Sequence, residues 1–385
     1  MKIVYVYPQF ARLAGTERVL IDKMNYLADR EGFEILMVTY EQGMHPMAYR
    51  LSEKVRHIDL DVRFYPLYQY NSVVRFYRWY QYTKLLKRRF NKLMAEEKPD
   101  IVITTTYHGN IMTMIDECPT PFVRILESHI DRRYVHSNDP ANYHNWRTRI
   151  RSIYDMKVLD RVAGRFDILV ALHSKDAADW PQCKRTLVIP NIVHLNDTGR
   201  YCDVEAKRVI FVGRYIYQKG IPDLFKVWKI VSERHPDWRL DIYGDGDSKE
   251  IPCSEEERLK MNVHVHPSDG NIFERYLESS IFVLTSVYET FGLVMPEAMS
   301  CGLPVVAFDC PFGPAKIISD GVDGFLIMNR NVEEYADKLC QLMESSDLRR
   351  TMGQAAIQSS QKYAADGIMA KWLKLFDELV KPAQS

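Results

Sequence analysis

Two glutamates lie eight residues apart in the last third of the chain, in the sequence SVYETFGLVMPEAM. Glu289 follows an apolar run that predicts a strand, and Glu297 lies about one turn inside a predicted helix that begins at Leu293. Gly292 between them permits a tight turn or the close approach of a ligand. The helix N-terminus offers free N–H groups to a phosphate, and carboxylates accept hydrogen bonds from sugar or ribose hydroxyls. The alternative is one N-terminal helix carboxylate and one incidental acid.

Two cations follow another predicted strand, in the sequence VIFVGRYIYQKGI. Arg214 comes directly after Gly213 at the strand end, and Lys219 opens the next helix. If both converge on one anion, they can stabilise a diphosphate leaving group as its bond to the sugar breaks. Solvated side chains in a surface loop are the alternative, and they are the better explanation of this segment taken alone.

Three weaker signals lie at the ends of other predicted strands. Gly244, in LDIYGDGDS, is explained equally well by turn chemistry and by ligand contact. Gly15 precedes the first helix and could approach a phosphate, although the GxGxxG dinucleotide fingerprint is absent. His129 ends the strand in RILESHIDRR, where an imidazole could contact a substrate, but a lone histidine is more often structural.

The elements that must position these residues alternate between strand and helix. This alternation predicts an α/β fold of two doubly wound, Rossmann-like domains with parallel sheets that face a central cleft. We expect an N-terminal domain in residues 1–190, a linker in 191–206, a second domain in 207–364 and a C-terminal helix in 365–385 that could cross back to the N-terminal domain. The predicted strands are Ile3–Tyr7, Phe33–Thr39, Ile101–Thr105, Phe122–Leu126, Ile168–Leu172, Leu187–Ile189, Val209–Val212, Arg239–Tyr243, Val263–His266, Ile281–Thr285, Val305–Phe308 and Phe325–Met328.

Composition narrows the class of protein. The chain has 385 residues, more than one core usually supports, with 46% hydrophobic residues, 26% charged residues and zero formal net charge. The seven cysteines show no CxxC motif, so we expect reduced thiols and no disulfide framework or zinc site. The first apolar run is too short for a signal peptide, and no window reaches the roughly 18 apolar residues of a membrane span. These features indicate a cytoplasmic protein.

Residues 63–92 combine basic and aromatic side chains. They include eight lysines and arginines and no acid, with six aromatic residues interleaved between residues 76 and 90. An ordinary amphipathic surface helix is one explanation. The other is contact with an anionic surface, either lipid headgroups at the inner membrane face or a phosphorylated acceptor. No nucleic-acid-binding module is evident, so we expect no nucleic-acid partner.

Together these segments resemble the family-4 glycosyltransferases, which have the two-Rossmann-domain glycosyltransferase-B (GT-B) fold. The resemblance covers most of the chain and is strongest from Val209 to Met328, through FVGRYIYQKG, DIYGDGD and ETFGLVMPEAMSCGLPVVAFDCPFGPAKIISDGVDGFLI. Glu289 and Glu297 resemble the E-x7-E pair of that family. The N-terminal half matches more loosely through AGTER and ESH, and Ala14-Gly15 replaces a double glycine that is common in the family.

The resemblance implies a role for each matching residue. Glu297 would bind the ribose hydroxyls, Glu289 the donor sugar, and Arg214 with Lys219 the diphosphate, while His129 would lie near the reacting carbon. Val265 and His266 would meet the base. The expected catalytic residues are His129, Arg214, Lys219 and Glu289. The expected donor-binding residues are Gly15, Gly213, Arg214, Lys219, Gly244, Val265, His266, Glu289, Phe291, Gly292, Leu293, Val294 and Glu297.

The expected function is therefore transfer of a hexose from a nucleotide-diphosphate sugar to a hydroxyl of a glycan or glycolipid acceptor. The resemblance implies retention of anomeric configuration and a role in surface polysaccharide or glycolipid assembly. We expect no metal and no cofactor, with a UDP-sugar rather than a GDP-sugar as donor. A sugar-nucleotide epimerase of the same fold and a non-catalytic sugar-nucleotide binding protein remain as alternatives.

Overall fold

We analysed a computed structural model that describes residues 1–106, 109–130, 132 and 146–380. These residues form two compact units. The first unit comprises Met1–Ile192 and the chain from Ile368 onward, and the second comprises Val193–Gly367. Residues 381–385 of the predicted C-terminal helix lie outside the described residues.

The first unit is built on one parallel sheet. Its strands are β1 (Lys2–Val6), β2 (Glu34–Thr39), β3 (Arg56–Asp59), β4 (Ile101–Thr105), β5 (Val123–Ser128), β6 (Ile168–Ala171) and β7 (Thr186–Val188). Its helices include α1 (Gly15–Ala28), α2 (Ser72–Glu97), α3 (Gly109–Asp116), α4 (Trp146–Ala163) and α5 (Ser174–Ala178). The strand order is β3-β2-β1-β4-β5-β6-β7, so the direction of winding reverses between β1 and β4.

The second unit repeats this topology. Its strands are β8 (Arg208–Val212), β9 (Arg239–Tyr243), β10 (Val263–His266), β11 (Ile281–Leu284), β12 (Val305–Phe308) and β13 (Gly324–Ile327). Its helices are α6 (Ile221–Arg234), α7 (Glu255–Lys260), α8 (Ile272–Leu277), α9 (Val294–Ser300), α10 (Pro314–Ile317), α11 (Val332–Glu344) and α12 (Ser346–Ser360). All neighbouring strands are parallel, in the order β10-β9-β8-β11-β12-β13, and the reversal lies between β8 and β11. This confirms the predicted α/β class with two doubly wound sheets.

Hydrophobic packing explains why the central strands read as continuous apolar runs. Every residue of β4, β11 and β12 is buried, because helices cover both faces of a doubly wound sheet. Each unit has its own core cluster: one includes Val4, Leu36 and Phe90, and the other includes Phe211 and Trp228.

A last helix, α13 (Ala365–Val380), follows the second unit along the chain, and the chain from Ile368 belongs to the first unit. It buries Ile368, Met369, Trp372, Leu375 and Phe376. Arg185 and Glu378 form a salt bridge of 2.7 Å within the first unit. The burial of one apolar stripe accounts for the helical spacing of these residues.

Strand β3 is a part of the sheet that the sequence did not predict. Its residues are Arg56-His57-Ile58-Asp59, none of them is buried, and the strand lies at the edge of the sheet. An edge strand that exposes polar side chains lacks the apolar pattern by which strands are recognised.

None of the helices in the described part of the chain combines the length and apolar composition that crossing a bilayer requires.

Candidate active site

Several predicted site residues of the second unit lie where its sheet reverses direction. Gly213 and Arg214 follow β8, and Glu289 lies in the segment after β11, which is the neighbouring strand. In open α/β sheets, ligands bind beyond the carboxyl ends of the strands at this reversal point. The topology therefore gives this group of residues the position of a ligand site.

Lys219 and Glu289 form an ion pair at this point. The Lys219 Nζ lies 2.5 Å from Glu289 Oε2, and the two side chains are only 13% and 10% exposed. Ser286 Oγ donates a 3.2 Å hydrogen bond to the same carboxylate oxygen. No hydrogen bond within the described residues reaches Glu289 Oε1, so this oxygen can accept a hydrogen bond from a ligand hydroxyl.

The loops that carry this pair are fastened to each other through their backbones. The Val287 N–H donates to the Gln218 carbonyl at 2.8 Å, and Thr285 Oγ1 donates to the Lys219 carbonyl at 3.1 Å. Gly220 makes the approach feasible: its φ is +63°, and a Cβ at this position would lie 2.1 Å from the Thr285 carbonyl oxygen. A glycine at residue 220 is therefore required by both conformation and space.

Replacing Gly220 with alanine is expected to destabilise the second unit strongly. The left-handed conformation costs a non-glycine residue about 1–2 kcal/mol, and the overlap with a backbone oxygen adds about 1–3 kcal/mol. Gly321→Ala is the matched control, because Gly321 has a φ of +74° but open space around its absent Cβ. Urea titrations should show a larger loss for Gly220→Ala than for Gly321→Ala. Equal losses would contradict the close contact.

Arg330 is a site-organising residue that the sequence did not reveal. Its NH1 and NH2 groups donate to the carbonyls of Ser286 and Thr285 at 2.8 and 3.0 Å, and the guanidinium also pairs with Asp223. It therefore fixes the segment that follows β11. No local motif marks an arginine that acts across 44 residues of sequence.

Two sets of hydrogen-bond donors in the segments that carry the ion pair have no acceptor within the described residues. The exposed Arg214 side chain has no hydrogen-bond or salt-bridge partner within the described residues. No group in that same part of the chain accepts from the backbone N–H groups of residues 291–294, the turn in which Gly292 has a φ of +80°. Unsatisfied donors at a strand end can bind an anion.

Glu297 lies in the first turn of α9 and is nearly inaccessible, with 2% of its surface exposed. The Tyr276 hydroxyl donates to its Oε2 at 3.4 Å. The Tyr276 hydroxyl therefore helps to orient this carboxylate. Since only hydroxyl or N–H groups can donate to it, a ribose remains a suitable partner.

The remaining predicted residues of the second unit have structural roles as well. Gly244 packs against the residue after β8, where a Cβ would lie 2.0 Å from the Gly213 carbonyl oxygen. The His266 imidazole hydrogen-bonds to Asp241 at 2.7 Å and stacks on Tyr243 with ring centroids 4.5 Å apart. Close packing therefore explains Gly244 without a ligand.

Val265 lies on β10, which is an edge strand. The Leu240 and Gly244 N–H groups donate to the carbonyls of residues 262 and 266. Because backbone groups alternate in direction along a strand, the N–H and C=O of Val265 point to the open edge of the sheet.

Gly15 and His129 belong to the first unit. Gly15 is the first residue of α1, and its backbone N–H has no acceptor within the described residues. His129 follows β5, is 7% exposed, and hydrogen-bonds through Nε2 to Glu127 at 2.8 Å.

Burial makes several of the cysteines poor nucleophiles. All seven are free thiols. Burial raises the pKa of Cys310, beside Glu289, to about 12, and it does the same for Cys202 and Cys301. No cluster of histidine, cysteine and acidic side chains in the described ranges is arranged to hold a metal ion.

Residues 202–359 match the family model described as glycosyl transferases group 1. The chain carries a glycosyltransferase group 1 domain. This domain spans every predicted site residue except Gly15 and His129.

Individual proteins extend the comparison with the group 1 domain. The chain is 36% identical over 197 residues to the amylovoran biosynthesis glycosyltransferase AmsD of Erwinia amylovora, a match that covers 49% of this chain and 55% of AmsD. An uncharacterized glycosyltransferase of Haemophilus influenzae is 26% identical over 96% of this chain and 98% of its own length. The chain thus spans about half of AmsD and nearly all of the Haemophilus protein.

Solved structures show the same fold. A mutant of Staphylococcus aureus TarM in complex with fondaparinux, alpha-GlcNAc-glycerol and UDP superposes with a TM-score of 0.76. It covers 98% of this chain and 99% of the TarM chain at 16% sequence identity. The chain therefore has the GT-B fold, with a group 1 domain in its second half.

Proposed function

We propose that this protein is a retaining glycosyltransferase of family 4 that moves a sugar from a nucleotide-diphosphate sugar to an acceptor hydroxyl. The observation that carries the proposal is the Lys219–Glu289 pair at the reversal point of the second sheet. It joins a cation suited to phosphate with an acid suited to sugar hydroxyls. The acceptor would be a glycan or glycolipid of surface polysaccharide assembly, a role that the name of AmsD suggests by analogy.

The departing diphosphate would be stabilised by groups that are already in position. As the bond to the anomeric carbon breaks, negative charge grows on the phosphate oxygen. Lys219, Arg214 and the N–H groups of residues 291–294 can bind that charge without reorganising, and preorganised donors of this kind lower a barrier. Because these groups can carry the developing charge, the proposal includes no metal and no cofactor.

The other parts of the donor would bind along the same strand ends. Glu289 would accept hydrogen bonds from the sugar hydroxyls through its uncommitted Oε1 oxygen, and Glu297 would accept them from the ribose. The free N–H and C=O of Val265 form a donor and acceptor pair that can meet the edge of a base. We propose uracil, because TarM was solved with UDP.

Replacement of Glu297 with alanine is expected to remove nucleotide binding selectively. In a thermal-shift series, UDP at 100 times its Kd should stabilise the wild-type protein by about 2.7 kcal/mol. The variant should lose most of this shift because its buried ribose acceptor is gone. Glu255→Ala, an exposed acid on α7 outside the proposed site, is the control. An unchanged UDP shift in Glu297→Ala would contradict the ribose role.

An activity assay distinguishes transfer from the two alternatives. A transferase should release nucleoside diphosphate from its donor only when an acceptor is added. An epimerase of the same fold would convert the donor without an acceptor, and a binding protein would stabilise with UDP but release nothing. Retention would be read from the anomeric configuration of the isolated product.

We further propose peripheral contact with an anionic membrane through residues 63–92. The C-terminal half of α2 buries Leu86, Phe90, Leu93 and Met94, whereas residues 72–81 bury no side chain. The first half of the helix exposes large apolar side chains all around: Val73, Val74, Phe76, Tyr77, Trp79 and Tyr80. Exposed apolar side chains that cluster in this way are typical of an interaction surface. Three of the eight cations pair with acids outside the segment, but Arg75, Lys84 and Arg88 form no salt bridge within the described residues. This positive charge favours lipid headgroups over a second copy, whose own positive charge would repel.

A further inference from the structure

Three buried titratable side chains form a continuous network at the carboxyl end of β5, inside the first unit. Lys23 on α1 donates to both carboxylate oxygens of Glu127, which is the fifth residue of β5. The same carboxylate accepts a hydrogen bond of 2.8 Å from His129 Nε2. The side chains of all three residues are only 2–3% exposed.

Charge compensation makes Glu127 an acceptor for both neighbours. Burial opposes its ionisation, but Lys23 and His129 outweigh burial and lower the pKa of Glu127. Burial in turn lowers the pKa of Lys23, and Glu127 opposes that change. An ionised carboxylate can only accept, so the hydrogen between Glu127 and His129 must lie on Nε2.

The other ring nitrogen is left without a partner. His129 Nδ1 is buried and has no hydrogen bond within the described residues. In a neutral ring whose Nε2 carries the hydrogen, Nδ1 is an acceptor. A buried polar atom without a partner is costly, so it normally serves a ligand or a water.

A small pocket adjoins this network. Lys23, Glu127 and His129 line it together with Trp372 of α13, and its free volume of about 10 Å³ has room for about one water molecule. The Lys23 ammonium lies 4.2 Å from the centre of the Trp372 ring. A cation–π contact on one side and a carboxylate on the other hold the ammonium in place.

We propose that Lys23 and Glu127 are positioning residues that fix the His129 imidazole with hydrogen on Nε2 and leave Nδ1 as an acceptor for a substrate hydroxyl. The effect on turnover rests on the proposed function and on the position near the reacting carbon that the family resemblance implies for His129. The protonation state of the His129 imidazole does not depend on the proposed function. Glu127 thereby acts through His129 and need not touch a substrate.

The ring state is measured first, on the full-length protein. Long-range 1H–15N correlation spectra distinguish protonated from unprotonated imidazole nitrogens, and a His129→Gln spectrum assigns the signal. We expect the wild-type protein to show a protonated Nε2 and an unprotonated Nδ1. A protonated Nδ1 in the neutral ring would overturn the proposal, whether or not the protein transfers sugar.

Two double variants test the role of Glu127 without leaving an unpaired charge that could unfold the protein. Lys23→Met with Glu127→Leu removes both charges together, and replacing a buried ion pair by apolar residues is often neutral for stability. In this variant the His129 imidazole should no longer be held in the single form with hydrogen on Nε2. Lys23→Met with Glu127→Gln is also uncharged, but its amide oxygen can still accept from Nε2 and should restore the ring state. A single Nε2–H state that persists in the leucine variant would overturn the proposal.

Steady-state kinetics then distinguish a positioning role of Lys23 and Glu127 from a merely structural one. The leucine variant should have a kcat at least about 10-fold lower, with little change in the donor KM, and the glutamine variant should recover most of that loss. An unchanged kcat in the leucine variant would overturn the positioning role. Failure of the proposed function would look different, because the wild-type protein would then release no nucleoside diphosphate in response to an acceptor.

Discussion

Replacing Lys219 with methionine is expected to lower the kcat of sugar transfer by about 10²–10³-fold, the usual effect of removing one preorganised donor from a developing charge. The side chain keeps its length and loses only its cation. Because Lys219 is paired with Glu289, the substitution removes both the phosphate ligand and the partner that orients the sugar ligand. The measurement is release of nucleoside diphosphate in the presence of acceptor at saturating donor.

Two further variants show whether the effect is specific to Lys219 and whether it arises from electrostatic strain. Lys260→Met removes a cation from an exposed salt bridge with Glu256 in the same unit and should leave kcat unchanged. Lys219→Met combined with Glu289→Gln removes the uncompensated carboxylate, so its thermal stability shows how much of the single-variant defect is electrostatic strain. A near-wild-type rate for Lys219→Met would exclude this lysine from the mechanism.

Neutralising four exposed cations of the basic segment is expected to weaken binding to anionic vesicles by roughly 10²–10³-fold. The change is Arg75→Gln, Lys84→Gln, Arg88→Gln and Lys92→Gln, and each charge near an anionic membrane contributes about 1 kcal/mol. Sedimentation with phosphatidylglycerol vesicles measures the partition. Binding should also fall with added salt, because surface electrostatics are screened.

The matched control removes the same number of positive charges from surfaces outside residues 63–92. Lys54, Lys260, Lys371 and Lys374 are exposed lysines outside residues 63–92, and their replacement by glutamine should leave sedimentation unaltered. Vesicles of neutral lipid test whether the aromatic side chains alone suffice. Equal sedimentation of the two quadruple variants would contradict the membrane proposal. A concentration-dependent dimer that masks the segment would instead assign it to a second copy.

The sequence predicted the architecture because the strongest signals are repetitive and local. Central strands such as β11 read as short apolar runs, and the alternation with helices implies parallel sheets with a known place for ligands. The edge strand β3 escaped prediction because its polar residues lack that pattern.

The sequence predicts which strand ends carry the candidate site residues, but not the contacts between their side chains. The sequence places Lys219 and Glu289 at two strand ends, whereas their direct ion pair depends on how the two loops fold against each other. Arg330 was missed because its contacts with Ser286 and Thr285 are long-range backbone contacts. Gly244 illustrates the opposite case, since tight packing against Gly213 explains a glycine that was considered for ligand contact.

Helix α13 has a consequence for the synthesis of this protein. The segment from Ile368 completes the first unit, but the ribosome makes it only after the whole of Val193–Gly367. At ordinary elongation rates that interval is on the order of 10–30 s. During this time the nascent first unit lacks Trp372, whose ring lies beside Lys23. A chaperone that shields the incomplete unit, or a circular permutant in which α13 is synthesised first, should therefore raise the yield of folded protein.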